Sequence, residues 1–280
     1  MRAVSSLRCL EVSVAELGAH ADALMAIFRG ELDLLVVREA ITPTAALRVA
    51  DALERRAGDF AWTPQQHPDG RPGQMMVMGM TLTPVSGFDL DLERYFTVAE
   101  RFRRDCRELF AGEPDFEAAM IDRLGAMAGG RPVALPEHDR GRAYTPATIR
   151  TLPHGCGIPV HCGNFFLETP GYRSLAAQLD TADQLSYFVT LRDAEEGGEL
   201  EVYELQWGDP RTPMKGDFYD GERIAAHWHG LKVRPGPGDL LVFDGGRFYH
   251  RVTTVRGRTR VTIGGFVGFS PDHERALIWS

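Results

Sequence analysis

Cysteine is scarce in this chain. Cys9, Cys106, Cys156 and Cys162 are the only four in 280 residues, with no CxxC pair and no zinc spacing. That excludes a disulfide scaffold and a thiolate zinc site, and leaves free thiols in a reducing compartment. No apolar run is long enough for a signal peptide or a membrane span. A cytoplasmic protein without a membrane partner is expected. Basic charge is also lacking. The formal net charge of −8 argues against a nucleic-acid polymer as partner, although a few arginines suffice to hold one small anion. Repeats, low-complexity blocks and linkers are absent, so residues 1–280 are expected to form a single domain.

What is present divides near residue 143. Upstream, "ELDLLVVREA" is a compact apolar run that predicts a buried strand. Thr42 and Pro43 then open a helix, with threonine as cap and proline in the first turn. Residues 67–74 form a loop by their Gly and Pro content, and "MMVMGMTLTP" follows as an extended segment. Leu92, Phe96, Ala99, Phe102, Cys106, Leu109 and Phe110 fall at helical spacing, and "PDFEAAMIDRLGAMAGG" reads as another helix closed by glycines. Downstream, short β-like runs alternate with glycine, proline and acidic turns, the pattern of a sandwich or barrel. The expected fold is α+β: a mainly helical part over 1–142, packed on a double-stranded β-helix (jelly-roll, cupin-like) core over 143–280.

Two stretches carry chemistry. In "IPVHCGNFF", His161 and Gly163 lie two apart and, on a strand, share a face. In "PGPGDLLVFDGGRFYHRVTTVRGRTRVTIGGF", His250 opens a strand and Arg260 follows ten residues on, sharing a face with Thr262 and Gly264. Two neutral imidazoles suit Fe(II), whose usual third protein ligand is a carboxylate. A guanidinium offers a planar fork to the distal carboxylate of 2-oxoglutarate. Glycine stands where that carboxylate ligand belongs, so one more position opens beside the metal, which chloride can fill. His227 and His229 in "HWHG" are a competing metal pair of cupin type, but the glutamate such a site needs is missing after them.

The runs "YTPATIRTL", "VHCGNFF", "DQLSYFVTL", "EGGELEVYELQW", "PGPGDLLVFDGGRFYHRV" and "TIGGFVGFS" resemble the free-standing 2-oxoglutarate/Fe(II)-dependent halogenases. That group is related to the hapalindole-type alkaloid halogenase and includes enzymes that act on purine nucleotides such as deoxyadenosine monophosphate. The resemblance is dense from Tyr144 to Ser280 and looser upstream, where "LDLERYF" and "PDFEAA" still look similar. It implies His161 and His250 as iron ligands, Gly163 as the halide position and Arg260 as the 2-oxoglutarate anchor. Asn164 and Tyr187 are weaker candidates beside the cosubstrate. Ser186 matches a residue near the metal that steers the reaction, and Phe166 matches a substrate-pocket position. Met78 and Met80 are further pocket candidates.

The expected cofactors are Fe(II), 2-oxoglutarate, chloride and O₂. The expected reaction chlorinates an unactivated sp³ carbon of a free small molecule, with no carrier protein. Segment 208–230 departs from the alkaloid enzyme. It reads as a loop or lid whose His227 and His229 could meet an adenine deoxynucleotide chlorinated at its 2′ carbon; an indole alkaloid is the second choice. A hydroxylase on the same fold, or an inactive binding protein, are the alternatives.

Overall fold

The structure is a computed structural model, and it describes residues 6–65, 75–82, 91–216 and 218–280. The expected loop at 67–74 lies outside them, apart from the fact that strands flank it. Chain order begins with β1 (Cys9–Ser13), α1 (Ala23–Phe28), β2 (Leu34–Arg38), α2 (Pro43–Arg55), β3 (Trp62–Gln65) and β4 (Met75–Met78). It continues with α3 (Leu92–Leu109), α4 (Phe116–Gly125), β5 (Val133–Ala134), β6 (Thr148–Leu152), β7 (Ile158–His161), α5 (Asn164–Leu167) and α6 (Arg173–Ala176). Then come β8 (Leu185–Arg192), β9 (Leu200–Gln206), the short β10 (Met214–Lys215) and β11 (Phe218–Tyr219), and α7 (Gly221–His227). The last strands are β12 (Gly230–Val233), β13 (Leu240–Phe243), β14 (Phe248–Val252), β15 (Arg260–Phe269) and β16 (Ala276–Trp279).

Local chemistry explains the long helices. Thr42 Oγ accepts from Ala45 N at 3.1 Å, and Pro43 fills the first turn, whose N–H has no helical partner. Ala45, Ala46, Val49, Ala50 and Leu53 then form one buried stripe. In α3, Asp91 caps the start, and Phe96, Ala99, Phe102, Cys106 and Leu109 are buried.

A ten-stranded sheet runs in the order β1-β2-β13-β8-β15-β6-β4-β3, with β16 and β5 branching from β15. A four-stranded sheet has the order β12-β9-β14-β7. Both are largely antiparallel; β1–β2 and β16–β5 pair in parallel. The part before residue 143 is less helical than expected, because β1 to β4 extend the large sheet and only the segments between them wind into helices. Val36 is fully buried within β2, and β4 passes from part-exposed Met75 and Met76 to buried Val77 and Met78.

Strand alternation divides the large sheet into two faces. Leu35, Val37, Ile149, Leu185, Tyr187, Val189, Leu191, Leu240, Val242, Val261 and Ile263 pack with the buried stripes of the helices in one core. That core draws on both halves of the chain. On the inner face, Leu34, Val36, Leu241 and Phe243 pack with Leu200, Val202, Val233 and Phe248 of the small sheet. Leu152 packs with Val252 and Val255 elsewhere between the sheets. The polar residues described next also lie on this inner face.

Candidate active site

Strands β7 and β14 are antiparallel neighbours, and His161 and His250 stand directly opposite each other. Their ring centroids are 4.1 Å apart. Each Nδ1 is 2.9 Å from the carbonyl oxygen two residues earlier, Pro159 for His161 and Phe248 for His250. A carbonyl only accepts, so each Nδ1 carries the proton and each Nε2 keeps its lone pair. Burial lowers the His161 pKa to about 4, with the Arg150 charge adding to it. Burial pushes His250 well below the ordinary value, helped by His161 and Arg150. Two neutral imidazoles with matched tautomers are what a divalent metal needs. Among the described residues no set of three or more His, Cys, Asp or Glu side chains could hold a metal, so His161 and His250 stand there without a carboxylate or thiolate to complete a set of three.

Arg260 begins β15 on the inner face and is only 4% exposed. Its guanidinium lies 5.2 Å above the Phe188 ring. It has no hydrogen bond or ion pair among the described residues, and burial lowers its pKa to about 10. A desolvated guanidinium without an anion is a fitting receptor for a carboxylate. The donor set therefore fits Fe(II), and the unpaired arginine fits 2-oxoglutarate.

Gly163 is not on a strand. β7 ends at His161, and Gly163 takes helical angles (φ −67°, ψ −36°) as the N-cap of α5. Its N–H donates to Gly245 O at 2.7 Å, and Asn164 N–H donates to Gly246 O at 2.9 Å. Gln184 Nε2 donates to Gly163 O. A Cβ at 163 would lie 2.8 Å from Gly245 O and 3.0 Å from Gly246 Cα. The glycine thus permits close approach of a second backbone, a requirement the reading as a strand residue did not contain.

The remaining candidates separate by face. Ser186 pairs with Phe243 and lies on the inner face, part-exposed. Tyr187, its neighbour, points the opposite way into the helix-side core and donates to Pro146 O at 2.6 Å. It cannot contact a cosubstrate between the sheets. Met78 likewise belongs to the helix-side core, opposite Ile149, whereas Met80 and Phe166 are part-buried around the cluster of Leu82, Tyr95, Tyr172 and Trp279. Asn164 Nδ2 donates to Asp183 Oδ1 at 2.9 Å, which ties it to a buried Asp183–Arg247–Asp244 group and not to Arg260.

His227 ends α7, whose Ile224 packs with Val160, Tyr203 and Tyr249 on the outer face of the small sheet. Its Nδ1 faces Arg223 O at 2.9 Å. Strand β14 brings His250 to His161, not to His227 or His229, so the cupin-type pair does not form. Cys162 also turns outward, with Sγ 2.7 Å from Gly246 O.

Sequence reasoning missed Arg150. It lies on β6 opposite Thr262 of β15 and Val77 of β4. Its Nε is buried and without a hydrogen-bond partner, and burial lowers its pKa. The alternation of "TIRTL" could have put Arg150 on one face with Thr148 and Leu152, but not beside the histidines. Arg150, His161, Ser186, Phe188 and Phe266 all keep partial exposure on the inner face, as the walls of a cleft do.

Fold and family together define an oxidoreductase. The chain resembles the N-substituted L-amino acid dioxygenase of Burkholderia ambifaria AMMD at 18% identity and a TM-score of 0.53, over 92% of this chain and 91% of that one. The same dioxygenase in complex with alpha-KG matches at 16% identity and a TM-score of 0.49, covering 92% and 90%. A Pseudomonas putida prolyl-4-hydroxylase matches at 15% identity and 0.44, covering 89% and 96%. Within that class, the chain belongs to the family described as carrier-protein-independent halogenase WelO5, whose model matches residues 6–280. No curated protein matches the sequence. Among the described residues, no helix is long and apolar enough to cross a membrane.

Proposed function

We propose that the chain chlorinates an unactivated sp³ carbon of a free small molecule, consuming 2-oxoglutarate, O₂ and chloride and releasing succinate and CO₂. The observation that carries the reading is the paired His161 and His250, both neutral with free Nε2 atoms, without a carboxylate to complete a protein triad among the described residues. With O₂ as the electron acceptor, bound Fe(II) and 2-oxoglutarate would supply the chemistry that removes a hydrogen atom from the substrate. His161 and His250 hold the metal, and Arg260 takes the distal carboxylate of 2-oxoglutarate. Gly163 contributes no donor atom, which leaves a metal position for chloride. Ser186 offers a hydroxyl on the inner face and favours chloride over hydroxyl transfer. Met80 and Phe166 contribute apolar surface to the substrate side. No carrier protein or nucleic-acid polymer takes part.

The substrate reading is an adenine deoxynucleotide, chlorinated at its 2′ carbon, ahead of an indole alkaloid. Arg150, whose buried Nε has no hydrogen-bond partner, supports an anionic substrate. The test incubates the protein with Fe(II), 2-oxoglutarate, chloride and a panel of nucleotides and alkaloids. Mass spectrometry then looks for the chlorine isotope pattern, and hydroxylated product alone would assign a hydroxylase instead.

A further inference from the structure

Every other arginine with substantial burial in the described part of the chain has a carboxylate. Arg192 meets Glu54 at 2.6 Å, Arg103 meets Glu117 at 2.9 Å, Arg247 meets Asp183 and Asp244 at 2.8 and 2.7 Å, and Arg251 meets Glu201 at 2.6 Å. Arg150 and Arg260 are the exceptions, and both face the cleft between the sheets. The register sets their spacing: Arg150 is opposite Thr262, and Arg260 lies two residues along the same strand. Cross-strand diagonal neighbours of this kind stand roughly 7–8 Å apart. Arg150 also acts electrostatically on His161, His250 and Tyr172, whereas the groups that act on Arg260 are Asp193, Arg150, Arg234 and Glu199. Of the two arginines, Arg150 is thus the one whose charge reaches both histidines.

We infer that Arg150 is a second oxyanion anchor: its guanidinium receives the carboxylate or phosphate oxygens that lie next to the two histidines. A guanidinium whose buried Nε lacks a partner favours whatever anion completes its fork. The oxyanion has two sources, the metal-proximal carboxylate of 2-oxoglutarate or an acidic group of the substrate. This inference rests on the proposed function for those two ligands, but not for the guanidinium itself.

The experiment compares the full chain with Arg150→Gln, Arg150→Lys and Arg260→Gln. Thermal unfolding of the metal-free proteins is measured first. An unpaired anchor predicts that Arg150→Gln melts at or above the wild-type temperature, whereas a structural arginine predicts that both Arg150 variants melt lower. Calorimetry then follows 2-oxoglutarate, deoxyadenosine monophosphate and inorganic phosphate binding to the Fe(II)-loaded chains without oxygen. Loss of a charge-assisted pair worth roughly 10- to 100-fold is expected for Arg150→Gln, with partial recovery in Arg150→Lys. Weakened 2-oxoglutarate assigns the cosubstrate as source, and weakened nucleotide with intact 2-oxoglutarate assigns the substrate. All three affinities within twofold of wild type, or a lower melting temperature in both Arg150 variants, overturns the inference. A wild-type chain that binds no 2-oxoglutarate instead overturns the proposed function, and the two phosphate titrations then decide the role of Arg150.

Discussion

Replacing Gly163 tests two ideas at once, because the position is both a gap in the ligand set and a point of close backbone contact. The Cβ of an alanine would fall 2.8 Å from Gly245 O, 3.0 Å from Gly246 Cα and 3.2 Å from Gln184 Nε2. The glutamine amide can swing away, but the two backbone atoms cannot do so cheaply. They are held by the hydrogen bonds from Gly163 N–H to Gly245 O and from Asn164 N–H to Gly246 O. Overpacking of this kind costs about 1–3 kcal/mol. At about 2–4 °C per kcal/mol for a chain of this size, Gly163→Ala should lower Tm by roughly 2–12 °C. Gly163→Asp carries the same steric cost and adds a carboxylate that can complete the iron ligand set. It should therefore bind Fe(II) more tightly than Gly163→Ala and lose chlorination, with hydroxylation able to take its place. Differential scanning calorimetry, Fe(II) titration without oxygen and product mass spectrometry read the three effects. Wild-type Tm in Gly163→Ala would refute the close-contact argument. Undiminished chlorination by Gly163→Asp would refute the ligand-gap argument.

Three further substitutions separate the faces of the large sheet and the groups behind the site. Ser186→Ala should leave Fe(II) binding and Tm near wild type while moving product from chlorinated toward hydroxylated, measured as the product ratio. Tyr187→Phe should leave the 2-oxoglutarate Kd unchanged but cost about 1–3 kcal/mol, since Pro146 O loses its buried donor; urea unfolding and calorimetry give the two values. Asp244→Asn should grow more stable relative to wild type as pH rises. Burial and the neighbouring Asp183 raise the Asp244 pKa from 3.8 to about 8. The folded wild type therefore holds a proton that the unfolded chain releases, and its stability falls between those two values. The slope is up to about 1.4 kcal/mol per pH unit, and the asparagine variant lacks it. Parallel unfolding curves at pH 5 and pH 8 would contradict that reasoning.

The helices were legible because their signals are local. Thr42 with Pro43 and the apolar spacing of Leu92 to Leu109 need no distant partner to be read. The His161–His250 pair was legible because two motifs on separate strands named it in advance. Assigning Tyr187 to the site beside Ser186 was an error of period: adjacent strand residues face opposite ways, so the two could not share the cleft. Met78 failed for the same reason, since Val77, opposite Arg150, is the residue on the inner face. The angles at Gly163 depend on backbone contact with residues 245 and 246, too distant in the chain for local pattern to reveal. Arg150 was invisible for a related reason. Its significance is a register, Arg150 opposite Thr262, and register is settled by the whole sheet.

The charges on the inner face bear on the choice of substrate. Burial keeps both histidines neutral, and Arg150 and Arg260 have no carboxylate partner among the described residues. Behind Gly163, Arg247 offsets Asp183 and Asp244, whose raised pKa values leave little net negative charge there. With a divalent metal, the cleft gathers four positive charges, none of them in an ion pair with a carboxylate among the described residues. A dianionic cosubstrate removes two and a halide one. A further anion on the substrate would complete the balance, and in a low-dielectric cleft that residual attraction is only weakly screened by salt. Deoxyadenosine monophosphate should therefore bind roughly 10- to 100-fold more tightly than deoxyadenosine, and the ratio should persist at high ionic strength. Calorimetry of the Fe(II)- and 2-oxoglutarate-loaded protein measures both ligands. Equal affinities would mean that the phosphate stays in solvent, and would return the neutral indole alkaloid to first place.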